Sequence, residues 1–260
     1  MAEALFWPAL VAYGEAAVAY AGNVHRPGTF GRLATWGVRI GWLVQTALLA
    51  AQAVEADGFP WGTWAGSLNL FVWFVVGVYL VWGCRPRYRV LGLAVMPLAA
   101  AVFVLSYAAG GMEGDGSDYS TFFLLAHVGL LLAALAGLTL AAALAGLYLW
   151  QERRLKRHRA AGLLRLGAPS LVSLDELAAR VVVFAFPALT LGIAAGLVRL
   201  AAEGGSLDAL VAAGVATWVL YCVFLLLRYA AGWRGRRSAR LVLAGFVFVA
   251  SVLVLPFVHL

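Results

Sequence analysis

The sequence predicts an all-α polytopic membrane protein with about eight transmembrane helices and both termini outside the cytoplasm. Three observations carry this reading. Of the 260 residues, 64% are apolar and only 12% are charged, and the mean hydropathy is +0.91. A soluble domain is about 25% charged, and a chain of this length cannot bury so much apolar surface in a soluble core. Apolar segments of near-membrane length recur along the chain, with no alternating pattern of a barrel. Backbone polar groups in lipid must be satisfied within the segment, so these segments are helices. Basic residues fall on alternate loops, which fixes an orientation.

The segments run, in order, over 5–21, 33–54, 67–82, 90–107, 121–150, 177–198, 207–230 and 239–258. A span needs about 20 residues, with latitude for tilt. The first, third and fourth are short. The fifth is long, and it is expected to project from the membrane on one side. The first holds Glu15, which pairs with Arg39 of the second segment or serves helix packing, while Arg39 can also snorkel to the inner surface. The second holds Gln45 at mid-span, facing protein or a polar pocket. The first segment lacks a basic n-region, so a cleavable leader is not expected.

The loops give the sidedness. Arg26, Arg32 and Arg39 follow segment one, and Arg85, Arg87 and Arg89 follow segment three. QERRLKRHR and the stretch to Arg180 follow segment five, and Arg228, Arg234, Arg236, Arg237 and Arg240 cluster around the turn after segment seven. Only Arg199 of the 19 basic residues falls outside these regions. The alternate loops hold Glu55 and Asp57, then Glu113, Asp115 and Asp118, then Glu203 and Asp208. The chain therefore reads as one membrane domain over 1–260, with short loops and a basic cytoplasmic loop at 151–176. A cytoplasmic, lipid-facing bias accounts for the net charge of +7, and no nucleic-acid partner is implied. Cys84 and Cys222 read as small packing residues.

Five residues stand out as candidates for a site. Trp61 and Trp64 lie in an outer turn rich in glycine and proline, within GFPWGTWAGSLNLFVWFVVGVYLVW. An interfacial aromatic belt explains tryptophan near a membrane surface. It explains less well the placement in such a turn, which can bring indoles over a planar ligand. On a helical turn the two would share a face. His25 and His158 fall among arginines and read as solvated. His127, about two turns into segment five, and His259, at the outer end of segment eight, lie toward one side of the membrane. Each can simply hydrogen-bond a neighbouring helix. Together they can supply two imidazoles to one iron, since haem iron takes axial histidine, whereas zinc usually wants three or four protein ligands. Asp208, opening segment seven, reads as a helix N-terminal carboxylate or a site residue. No Ser/His/Asp constellation, Walker motif or Rossmann fingerprint is present, and the sequence leaves open whether the protein is an enzyme.

Four stretches carry a family resemblance. They are the tryptophan-containing segment above, LLAHVGLLLAALAGLTLAAALAGLYLWQERRLKRHR, DELAARVVVFAFPALTLGIAAG, and the run from Leu207 to the end with Trp218, Tyr221, GWRGRR and the terminal histidine. In order and spacing these resemble the cytochrome c assembly family, the CcsA/HemX-like group, from about Gly41 onward. The resemblance implies a protein of the prokaryotic-type cytoplasmic (inner) membrane. It implies binding of haem (haem b), presented or moved near the outer face during cytochrome c biogenesis, with apocytochrome c and a partner membrane protein involved. Carried over, His127 and His259 match the external histidine pair that ligates iron, and Asp208 matches the aspartate of the tryptophan-rich signature. The family places tryptophans just before that aspartate, where this chain has GGSLDAL, so Trp61 and Trp64 stand at a different external turn. Gln45 stands where the family often has histidine, and Gly66 where it often has glutamate. The chain looks closer to the shorter HemX-like branch. Two rivals follow from the residues alone: a transporter of another solute, and a structural or regulatory subunit without haem ligation.

Overall fold

The computed structural model describes residues 2–25, 28–55, 60–111, 121–157, 168–202 and 209–258. Among them every regular element is helical. The order is α1 (Ala2–His25), α2 (Thr29–Glu55), α3 (Trp64–Trp82), a 3-10 helix (Pro86–Leu91), α4 (Gly92–Ala108), α5 (Thr121–Lys156), α6 (Leu171–Ala202), α7 (Ala209–Tyr229) and α8 (Arg236–Val258). Seven stretches among the described residues are long and apolar enough to cross a membrane, and the 23-residue α8 occupies the eighth expected segment.

Several helices outrun the apolar segments, for identifiable reasons. The stretch 151–176, expected as a basic loop, is helix at both ends. α5 continues through QERRLK, made of good helix formers, and Lys156 Nζ reaches Glu152 at 2.8 Å one turn back. α6 starts at Leu171 rather than 177. Ser170 is its cap, accepting from the Ser173 backbone N–H at 3.3 Å. Asp175 lies near the start of this helix, where the dipole favours a carboxylate, and its charge is paired with Arg228.

The described chain forms two compact units, Met1–Leu124 with Arg159–Pro169, and Leu125–His158 with Ser170–Leu260. In the first, α2 lies against α1 through Gly37 and Gly41, a small-xxx-small pair. A Cβ at Gly37 would sit 3.1 Å from the Ala12 carbonyl oxygen, and one at Gly41 would sit 2.6 Å from the Tyr13 ring. Ala9, Ala12, Ala16 and Ala19 line the facing stripe of α1 and are buried. Lipid offers no hydrophobic drive between helices, so close backbone approach supplies the attraction. α4 closes over α1 with aromatics: the Phe6 and Tyr107 rings stack at 4.1 Å, and Phe103 meets Phe6 at 4.7 Å. Thr63 caps α3, its hydroxyl accepting from Gly66 N–H at 3.0 Å. Arg39 extends over Trp36, 5.2 Å from the ring centroid. Glu15 is exposed, and no ion pair joins it to Arg39 among the described residues. At the opposite end of α3, burial pushes the Cys84 thiol up from its ordinary value, which suits a packing thiol.

In the second unit, α5 meets α6 where a Cβ on Gly137 would come 2.9 Å from Ala185 Cβ, and one on Gly192 would come 2.8 Å from Leu131. α7 and α8 form a hairpin whose turn uses Gly232 at φ 66 and Gly235 at φ 68, a left-handed backbone that glycine adopts without penalty. This turn is anchored to α6. Asp175 accepts from Arg228 Nη1 at 2.7 Å and from the Gly235 N–H at 3.1 Å. Arg228 also donates to Ser238 Oγ at 3.3 Å. On the other side Tyr148 of α5 packs under Gly235, and Glu152 faces Arg236 at 3.8 Å.

Candidate functional site

His127 enters the second unit from the first turns of α5. Its Nδ1 lies 2.8 Å from the Gly192 carbonyl oxygen of α6. A carbonyl only accepts, so Nδ1 carries the hydrogen, and in the neutral ring the lone pair sits on Nε2. Metal-binding histidines are typically held this way, with the second nitrogen donating to a carbonyl that sets the ring's orientation and basicity. One turn further along α6, Gly196 leaves room for the ring. A Cβ there would come 2.6 Å from His127 Cε1. Two glycines on one face of α6 thus make the cradle, one by its carbonyl and one by its missing side chain. The imidazole is half-buried.

Trp61 and Trp64 belong to the first unit. Trp61 sits in the turn before α3 and Trp64 opens the helix, so helical spacing does not relate them as expected. Trp61 is only 9% exposed. Its indole N–H donates to Gln52 Oε1 at 3.3 Å, and its carbonyl accepts from Ser67 Oγ at 2.9 Å. Trp64 is half-buried.

Gln52 joins Trp61 to a chain of amides. Asn69 Nδ2 donates to Gln52 Oε1 at 3.1 Å, and Gln45 Nε2 donates to Asn69 Oδ1 at 2.9 Å and to the Asn69 carbonyl at 3.0 Å. Tyr13 OH closes one end on Gln45 Oε1 at 2.6 Å, and Gln52 Nε2 closes the other on the Gly111 carbonyl at 3.1 Å. Gln45 and Asn69 are fully buried. In an apolar medium each unpaired amide would cost several kcal/mol, and here donors and acceptors match in sequence along the chain. Of the two alternatives expected for Gln45, protein or a polar pocket, the structure shows protein: its partners are Tyr13 and Asn69. Gln52, Asn69 and Tyr13 are not among the candidates that the sequence singles out. The signal was available for the amides, since Gln52 and Asn69 lie within or beside apolar segments where polar side chains are rare. Asp175 and Arg228 were missed because each looks like ordinary flanking charge.

Asp208 and His259 lie outside the described residues, as do His158 and the acidic stretches at 112–120 and 203–208. Among the described residues no group of three or more His, Cys, Asp or Glu stands close enough to hold a metal ion.

A family model for cytochrome C assembly proteins matches residues 61–254, a range that includes Trp61, Trp64, His127 and Asp208 and stops short of His259. Cytochrome c biogenesis protein CcsA of Gloeothece citriformis is 27% identical, over 84% of this chain and 82% of that protein. The CcsA of Synechococcus elongatus is 27% identical over 82% and 81%. Protein HemX of Brevibacillus brevis is 29% identical over 76% and 74%. No solved structure matches the chain. With seven helices apolar enough to span and relatives of this kind, it is a multi-pass protein of the prokaryotic-type cytoplasmic membrane. The match over well over half of its length makes the chain a member of the cytochrome c assembly protein family.

Proposed function

We propose that the protein binds haem b near the outer membrane face and presents or moves it during cytochrome c biogenesis, with His127 and His259 as the two axial ligands. The observation that carries this reading is the His127 Nδ1–Gly192 contact at 2.8 Å, which puts the ring's lone pair on Nε2, the atom an iron would take. A porphyrin supplies four nitrogens of its own, so a pair of imidazoles from two helices is a sufficient protein donor set. The name of the relatives called cytochrome c biogenesis protein CcsA supports the place in cytochrome c biogenesis.

In this reading each residue has a separate task. His127 would hold the iron from α5, its ring oriented by the Gly192 carbonyl and the space left at Gly196. His259, by its place in the sequence, would supply the second imidazole. In the first unit Gln52 and Ser67 hold Trp61 in its turn, and Trp64 opens the helix beside it. Asp208 lies in the same outer region by sequence. Bound haem would offer its vinyl groups for thioether formation on an apocytochrome c, and a partner membrane protein would share that step. Both termini lie outside the cytoplasm.

Purification in mild detergent, followed by an absorption spectrum and a pyridine-haem assay, is expected to give about one haem per chain at most. Electron paramagnetic resonance of the oxidised protein is expected to show a low-spin bis-histidine signal that His127→Ala and His259→Ala each change. A signal unaltered in the double variant would remove both residues from the assignment, and protein free of haem under all conditions would remove the function.

A further inference from the structure

The two compact units share one interhelical clamp. In the first, Thr46 on α2 donates its hydroxyl to the Trp42 carbonyl at 2.7 Å and accepts the Trp73 indole N–H at 2.8 Å. The rings of Trp42 and Trp73 stack at 5.1 Å and 17°. In the second, Thr190 on α6 donates to the Phe186 carbonyl at 2.9 Å and accepts the Trp218 indole N–H at 2.9 Å. The rings of Phe186 and Trp218 stack at 5.8 Å and 23°. The threonine precedes its tryptophan by 27 residues in one unit and 28 in the other. In each unit the clamp joins the second helix to the third. One helix precedes the pair, and a turn with glycine and arginines, GCRPR or GWRGR, follows it.

We infer that the chain is two copies of one four-helix unit closed by this clamp, and that in the second copy Thr190 and Trp218 position His127. The second half of the inference rests on the geometry that supports the haem reading. Thr190 is two residues from Gly192, about 3 Å along the helix, within the Thr-Leu-Gly-Ile stretch. Thr190 fixes α6 against α7 just where the Gly192 carbonyl must stay aimed at the imidazole. Neither residue is a ligand; each acts through the α6 backbone. The first copy offers an internal control, because Thr46 and Trp73 make the same bonds in a unit that does not hold His127.

The test compares Thr190→Val with Thr46→Val in the full-length protein in detergent. It reads the unfolding midpoint and, by mass spectrometry, the rate at which diethylpyrocarbonate modifies His127. Both variants are expected to lower the midpoint. Only Thr190→Val is expected to raise the His127 rate, by about fivefold, the scale of one weakened hydrogen bond. Trp218→Phe and Trp73→Phe, which keep the ring stack, repeat the comparison should a valine variant fail to fold. A His127 rate unchanged by Thr190→Val and Trp218→Phe would overturn the positioning role, and so would an equal rise from Thr46→Val. A midpoint lowered in only one unit would overturn the equivalence of the clamps. The modification rate needs no haem, so a haem-free protein would refute the proposed function while leaving this result to stand or fall by itself.

Discussion

At Gly196 a hydrogen stands where every other residue would place a carbon 2.6 Å from His127 Cε1. Gly196→Ala is therefore expected to push the imidazole off the Gly192 carbonyl. Overpacking of this kind costs about 1–3 kcal/mol, and the low-spin ligation spectrum is expected to weaken with the unfolding midpoint. Gly129→Ala is the matched control. A Cβ there meets nothing within 4 Å, and alanine is favoured over glycine inside a helix by about 0.5–1 kcal/mol, so the midpoint is expected to hold or rise. At this scale His127 was legible, because an imidazole in an apolar run is uncommon. Its partner was not, since a backbone carbonyl leaves no mark in a sequence. Trp61 was legible as unusual, yet the turn that carries it hid its bond to Gln52, nine residues back on α2.

At the scale of the helices, packing depends on a few contacts that composition does not reveal. Gly41→Val would drive a branched side chain into the Tyr13 ring, with an expected loss of about 1–3 kcal/mol, measured as a lowered unfolding midpoint in detergent. The ion pair under the α7–α8 hairpin is more costly to break. Arg228 and Asp175 side chains are only 7% and 10% exposed, and Arg228→Met leaves a buried carboxylate without its cation. Removing one partner of such a pair costs about 3–5 kcal/mol. Adding Asp175→Leu is expected to recover part of that loss, leaving the Gly235 N–H as the remaining deficit. A double variant no more stable than Arg228→Met would mean that the bond to Gly235, not the ion pair, holds the hairpin. Span positions were readable here from hydropathy alone. Span ends were not, because Ser170, the Glu152–Lys156 pair and the paired Asp175 keep polar sequence helical beyond the apolar core.

For the whole molecule, the division of arginines between alternate loops predicts a sidedness. Cysteines placed singly in 111–118 are expected to react with an impermeant thiol reagent in intact cells, and cysteines in 151–160 are expected to stay unlabelled. The reverse pattern would invert the orientation and move the histidine pair to the other side. The helical class followed from composition. The duplication of a four-helix unit did not, because Trp42 in one copy answers to Phe186 in the other, and the shared threonines are too common to be noticed without their bonds. α5 carries a consequence of another kind. Its 36 residues make a rod of about 54 Å, and the hydrocarbon layer takes only about 30 Å. A helix transmits axial load without shortening, so the surplus acts as a strut. Tyr148 and Glu152 bear on Gly235 and Arg236 near its wet end. A pull applied at Arg153 or Arg154 is therefore delivered to the turn that starts α8, and an attachment there would grip the bundle by a rigid handle.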